Sequence, residues 1–569
     1  MSKVGTFLGT RHITGVILSA ALVLGGCVAN PGPPPVVDPQ AGDDAPAQEQ
    51  PAQQDASSGE SARTEINVGV DPLRNGLNPH LVADESALVE SVADLVLPSA
   101  YVNGQVNSDL LASVTEQTPP DGVLKTLRYS IRPEAQWSDG TPITGADFRY
   151  LWLAVTTTPG SIDAAGYRAI RDIRVSDNGR KVDVDFNSGL VDTPRLFQYL
   201  LPSHLLGNPS GFHDALKTKI PASAGRFLVD SVDQQRGRII LHRNDRFWGQ
   251  TPAQVEWLRL IEIRDQASGV EQLRTGQISY LDLTPTETLK DVIGLVPGVQ
   301  NAVVETPRQL RLVFNVRAPK AQLGVNRATL ASLLDPNLVA EISAGRTTEL
   351  SLPQGREAAS VTTGVTSEER AAAEKALKQQ SLDSPVIIGA DPADTAALAA
   401  ARAVVDTLNN KGIEAQTKTT TISDFAQNLL PQGKVDAILS WREVNGDAIA
   451  IASRYQCPEQ LSPTATQEQN RSSANPRISN LSGFCDRDVQ KELDALLAQP
   501  TTREEAAEWA LSLEEKEHLS MPLYRERRVR ALGQGMVGPS SDLSQWPAGL
   551  SSAATWRSVS ESRTSQEVK

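Results

Sequence analysis

The segment Trp441-Arg442-Glu443-Val444-Asn445-Gly446-Asp447 gathers an aromatic ring, a guanidinium, two carboxylates and an amide within seven residues. Those groups bind rather than react. An indole offers a flat face to apolar or sugar surfaces, and the charged and amide groups direct hydrogen bonds to hydroxyls or ions. Catalytic chemistry has no comparable foothold. No Gly-x-Ser-x-Gly, His-Glu-x-x-His, Walker A or glycine-rich dinucleotide string occurs, and carboxylate pairs mean little in a chain with 68 acidic residues. Six histidines and no Cys-x-x-Cys leave no zinc site, and no cofactor is expected.

The elements that must position this segment read as an open α/β unit. Val386 to Ile388 is a short buried strand, and Leu398, Ala401, Val405 and Leu408 mark one helix face. Gly412 stops that helix, and Val435 to Trp441 forms the next strand. Ligands of open α/β sheets sit beyond the carboxyl ends of the strands, which puts Trp441 and the residues after it at a cleft. The alternative is that Trp441 packs between lobes and the loop holds no ligand. Earlier in the chain, Tyr129 to Trp152 reads as strand, tight turn, helix. Asp139-Gly140 makes the turn, Pro142 stiffens its exit, and Thr144 with Asp147 forms a capping box ahead of Phe148, Leu151 and Trp152.

That string, YSIRPEAQWSDGTPITGADFRYLW, resembles the signature of the family 5 extracytoplasmic solute-binding proteins, the oligopeptide- and dipeptide-binding group. Gly145 stands where the family usually has Ala, and Phe148 where it has Val. The resemblance runs over roughly residues 65 to 556, through Leu200–Leu206, Arg243–Trp248, Phe314-Asn315, the helix Asn326–Gly345, Asn480–Cys485 and Met521–Arg525. It departs at Ser223 and Arg226, which replace a glycine and a proline, and at Ser279, which replaces an aspartate.

The resemblance implies an α/β fold of the two-lobed, periplasmic-binding-protein type, with a central cleft and discontinuous lobes. Residues 65–285 plus 521–569 make lobe I and residues 286–520 lobe II, with two strands crossing between them. It also implies that the loop after the first strand faces the cleft. Asn78 and His80 therefore join Trp441, Arg442, Glu443, Asn445 and Asp447 as ligand-binding candidates. The implied function is non-enzymatic: a monomer that binds a small molecule, peptide or glycolipid and, in importers, hands it to an ABC permease. Peptide-binding members carry an aspartate three residues after the tryptophan, where it meets the peptide's cationic N-terminus. Here that position is Val444, and Ala448 replaces a downstream proline, so a peptide fits less well. The Cys457 and Cys485 pair, the NLSGFC string, the proline-rich start and the missing aspartate are together similar to the LpqW-type lipoproteins of actinobacteria. That group is associated with lipomannan and lipoarabinomannan assembly and acts on a membrane mannosyltransferase.

Length and charge agree with an extracytoplasmic binding protein. A chain of 569 residues exceeds one core, and a net charge of −14 argues against nucleic acid. Lys3, Arg11 and His12 precede an apolar run, Ile13–Leu24, too short to span a bilayer comfortably. Leu24-Gly25-Gly26-Cys27 is similar to a lipobox, which implies removal of the signal peptide 1–27 up to Cys27 and acylation of that thiol at the outer face of the cytoplasmic membrane. Residues 28–63 are rich in Pro, Ala and Gln and read as a disordered tether reaching roughly 30 to 36 Å. With Cys27 acylated, Cys457 and Cys485 are left either to form one disulfide, the expectation in an oxidising compartment, or to stand as buried free thiols.

Overall fold

Gln300–Phe314 and Ser520–Leu532 lie antiparallel in the middle of a ten-stranded sheet. On one side follow Ala437–Glu443, Val386–Ala390 and Ala415–Thr419. On the other come Tyr280–Leu283, Glu65–Val70, Trp257–Glu262, Arg238–Arg243 and Phe227–Asp233. The first half of Ser520–Leu532 pairs with residues 309–313, and its last residues, Val529 to Leu532, pair with Tyr280–Leu283. One strand thereby belongs to both halves of the sheet. The computed structural model describes residues 64–191, 193–444, 446–457 and 476–558. Cys27 and the signal peptide, the tether 28–63, Asn445, and the residues from 559 onward lie outside the described residues.

Val386–Ala390 runs parallel to both of its neighbours, and a parallel pair needs a crossover. Helix Thr395–Asn410 supplies it, capped by Asp394 and burying Ala397, Ala401, Val405 and Leu408. Gly412, at φ +80°, then turns the chain in the left-handed region that other residues avoid. The run Asn326–Gly345, expected as one helix, is two: Gly324–Ser332 and Pro336–Ala344. Asp335 accepts from the amides of Asn337 and Leu338 and so starts a new helix, with Pro336 at its first position.

A second, four-stranded antiparallel sheet orders Leu111–Gln117, Lys125–Ile131, Lys181–Phe186 and Ile170–Ser176. Helix Gly145–Thr157 packs on it behind the Asp139-Gly140 turn, with Gly140 at φ +89°. Its Thr144/Asp147 capping box is formed as the spacing predicts, and Asp147 also accepts from the amide and hydroxyl of Ser203. The corner is a structural joint. It ties the turn, the helix start and the segment around Ser203 through one buried carboxylate.

The largest buried cluster joins side chains between Ile66 and Leu260 with those of helices Ala448–Tyr455, Arg487–Leu497 and Arg503–Glu517. A second cluster surrounds Leu310, Phe314, Ile388, Leu439 and Trp441. Cys457 and Cys485 are disulfide-bonded, with Cα atoms 4.7 Å apart. The bridge clamps the end of helix Ala448–Tyr455 to the start of helix Arg487–Leu497, and closing a loop of that length stabilises the fold by roughly 3 kcal/mol.

Candidate functional site

Side chains alternate along Ala437–Glu443, so Trp441 and Glu443 point to one face of the sheet and Arg442 to the other. The pairing register extends this to the neighbouring strand: Leu310 lies opposite Trp441, and Gln309 and Arg311 lie opposite Arg442 and Ser440. The two faces differ in chemistry.

On the Trp441 face Arg308 and Arg195 are each held by carboxylates. The indole is 7% exposed, its Nε1–H donates to Asp394 at 2.7 Å, and its ring meets Tyr524 edge-on at 5.7 Å. The Arg308 guanidinium covers the indole at 5.2 Å from the ring centroid. Arg308 is itself held by Glu526 at 3.1 Å and by Glu85 at 3.3 Å. Burial alone would raise the Glu526 carboxyl, but Arg308 and Arg528 outweigh it and bring it down to about 2.

Glu443 and Asp447 converge on one residue that no motif announces. Arg195 donates to Glu443 at 2.6 Å, to Asp163 at 2.7 Å and to Asp447. Burial opposes the charge on Arg195, but the three carboxylates prevail and hold its pKa well above the usual range. Asp447 also caps helix Ala448–Tyr455, accepting from Ala450 N at 3.0 Å. The two loop carboxylates expected to meet a ligand are thus committed to an internal guanidinium.

Beyond Arg195 stands an acidic helix, Ala87–Val96, capped by Ser86. Glu90 and Asp94 lie one turn apart on it. Asp94 accepts from Tyr199 Oη at 2.9 Å and Ser551 Oγ at 2.6 Å. Glu90 is solvent-exposed, and desolvation by the protein around it, with the neighbouring Asp94, pushes its carboxyl up to about 7.

Asn78 and His80 are buried, beside Tyr199 and Phe212. Asn78 is fully buried, donating to Phe212 O at 3.0 Å and accepting from His80 N at 3.1 Å. His80 packs against Tyr199 and Phe212, and its Nε2 lies 3.0 Å from Tyr199 O. Burial brings the imidazole down to about 4, so it is neutral and donates to that carbonyl. The pair braces the loop from inside. Asn445 lies outside the described residues.

On the opposite face, Arg442 turns into a recess. Its guanidinium makes a long hydrogen bond, 3.5 Å to Ser479 O. Arg311 and Arg454 lie beside it, and Val444 lines the adjoining cavity of about 350 Å³. Burial, with Arg454 nearby, brings Arg442 down to about 10. Among the described residues no cluster of metal-ligating side chains forms, and no helix is long and apolar enough to cross a membrane.

The described chain is a mixed α/β body built on one ten-stranded sheet. Residues 109–456 match the family model for the middle part of bacterial extracellular solute-binding proteins, family 5, and the chain belongs to that family. It is a binding protein and not an enzyme. A relative of Mycobacterium tuberculosis, named "Probable monoacyl phosphatidylinositol tetramannoside-binding protein LpqW", is 26% identical over 85% of this chain and 87% of its own length. Among solved structures, the oligopeptide-binding protein AppA of Bacillus subtilis in complex with a nonapeptide shares the fold at a TM-score of 0.63 and 13% identity, covering 87% of this chain and 99% of its own. The agropinic-acid complex of AgaA from A. tumefaciens R10 gives 0.65 at 15% identity, covering 87% and 98%.

Proposed function

We propose that this protein is a membrane-anchored binding protein for a mannosylated glycolipid headgroup, serving lipoglycan assembly directly or through a membrane mannosyltransferase. One observation carries the reading. Where an amine-reading carboxylate is expected the chain has Val444, and the flanking Glu443 and Asp447 are already paired with Arg195. A buried peptide ammonium there would find no free partner and lose several kcal/mol. The name of the mycobacterial relative supports a phosphoinositol mannoside as the ligand class. Acylation of Cys27 would keep the body near the membrane face where such lipids sit, and lobes of about 65–285 with 521–569 and of 286–520 would close on the headgroup about the two long strands.

The second reading, a receptor feeding peptides or similar solutes to an ABC importer, draws on Glu90 and Asp94, a carboxylate pair able to hold a cationic group. Calorimetry separates the two. Mannosylated phosphoinositol headgroups are expected to bind at micromolar concentration and di- to pentapeptides not to. Micromolar peptide binding, lost on Glu90→Gln, would establish the importer instead.

A further inference from the structure

The cavity beside Val444 is lined by Arg311 and Arg454 together with Glu357, Glu504, Glu508 and Glu514. Arg311 and Arg454 line both the main space of about 350 Å³ and an inner recess of about 30 Å³, which Arg442 enters from the sheet. Glu514 is the carboxylate at the base. It already accepts from Tyr455 Oη at 2.8 Å, from the Leu519 and Ser520 amides at 3.0 and 2.8 Å, and from Ser520 Oγ at 2.7 Å. Arg311 reaches it at 3.9 Å and donates to Ser520 Oγ at 3.0 Å and to Gln309 Oε1 at 2.9 Å. Among the described residues Arg442 and Arg454 form no ion pair with any carboxylate, and Arg454 spends its contact on the Glu443 carbonyl. Among the described residues, Arg311, Arg442 and Arg454 set against Glu514 and the unpaired Glu504 leave about one positive charge uncompensated in a semi-enclosed space. A buried excess of like charge destabilises a fold unless something else neutralises it.

We propose that Arg311, Arg442 and Arg454 form an anion subsite that takes a phosphate ester. Several guanidinium forks suit an oxyanion with three or more acceptor atoms. Ile451 and Leu511 on the cavity wall leave apolar room beside the charge for the rest of an ester. At the rim, Glu508 is paired with Arg356 and Glu357 with Arg525. Glu504 is the rim carboxylate that makes no ion pair among the described residues.

The subsite rests on the glycolipid reading for its natural ligand, yet its chemistry can be tested separately. The folded protein is titrated with inorganic phosphate, soluble glycerophosphoinositol, free inositol, a phosphate-free mannoside, and vesicles with and without phosphatidylinositol. Glycerophosphoinositol is expected to bind, more weakly as salt rises, and to lose about tenfold or more in affinity in Arg442→Gln and in the rim variant Arg454→Gln. Glu504→Gln is expected to tighten it. Stronger binding of the soluble ester or of the phosphatidylinositol vesicles than of phosphate assigns the subsite to a headgroup, and equal or stronger binding of inorganic phosphate assigns it to the free ion. Inositol binding as well as its phosphate ester, or ester affinity unmoved by both arginine substitutions in proteins that melt normally, would overturn the subsite. If mannoside binding survives those substitutions while the ester gains nothing, the glycolipid reading stands and only the subsite falls. Ester binding without any mannoside effect has the opposite meaning.

Discussion

On one face of the Ala437–Glu443 strand, Arg308 lies between Glu85 and Glu526, and Arg195 at the strand's end is gripped by Asp163, Glu443 and Asp447. On the other face, Arg442 and Arg454 meet carbonyl oxygens and each other. On the first face the guanidiniums are enclosed by carboxylates in a closed network, and on the second they meet carbonyls and each other and the network is open. A closed network fixes the shape of the body and offers little to a solute, because its groups are already paired within the protein. An open one costs stability in the empty protein and regains it when a counter-charge arrives.

The largest break in this contrast comes from truncating an arginine on each face. Arg308→Met strands Glu526 and Glu85 in a buried setting and is expected to cost about 3 to 5 kcal/mol of unfolding free energy, read by denaturant titration. Arg442→Met relieves like-charge crowding, so its unfolding free energy is expected within about 1 kcal/mol of the parent or above it. Equal losses on the two faces would erase the distinction.

Acid should open the closed face in a definite window. The folded Glu526 carboxyl sits at about 2 against an ordinary value of 4.5, so the unfolded chain binds the proton first. Its stabilising contribution is complete above pH 4.5 and drains away as the pH falls toward 2, about 3 kcal/mol in all. Glu526→Gln, less stable at neutral pH, is expected to show a flatter curve over that window.

Much of the frame was legible in the chain because the signals were local. Thr144 and Asp147 form the predicted capping box, and helix Thr395–Asn410 buries Ala401, Val405 and Leu408 of its predicted face and ends before Gly412. The site was less legible. Arg195 lies in an irregular segment with no motif, and its partners are 32 and some 250 residues away, so only tertiary structure assembles the clamp. Positive φ at Phe197 and Tyr199, invisible in sequence, helps to aim that segment. Asn78 and His80 followed a loop motif that gives the position of a backbone, whereas burial decided which way their side chains turned.

A smaller effect sharpens the role of the clamp. Lysine preserves the charge of Arg195 but has no planar fork to reach three carboxylates at once. Arg195→Lys is therefore expected to cost about 2 kcal/mol, measured by thermal or denaturant unfolding, while leaving peptides unbound. A variant as stable as the parent would mean that net charge, and not the three-way geometry, holds Asp163, Glu443 and Asp447 together.

The smallest expected change concerns Trp441, the residue whose aromatic face first drew attention to this loop. In the structure that ring is 7% exposed and covered by Arg308, so it has no free surface for a sugar. Trp441→Phe removes the N–H to Asp394 and weakens the guanidinium contact, while keeping most of the buried area. A loss of about 1.5 kcal/mol in unfolding free energy is expected from those two terms. Headgroup affinity should move by less than about twofold, since the substitution lies on the closed face and the solute engages the other. A tenfold loss of affinity in a normally folded Trp441→Phe protein would show that Arg308 swings aside on binding and that the indole serves as a stacking platform after all.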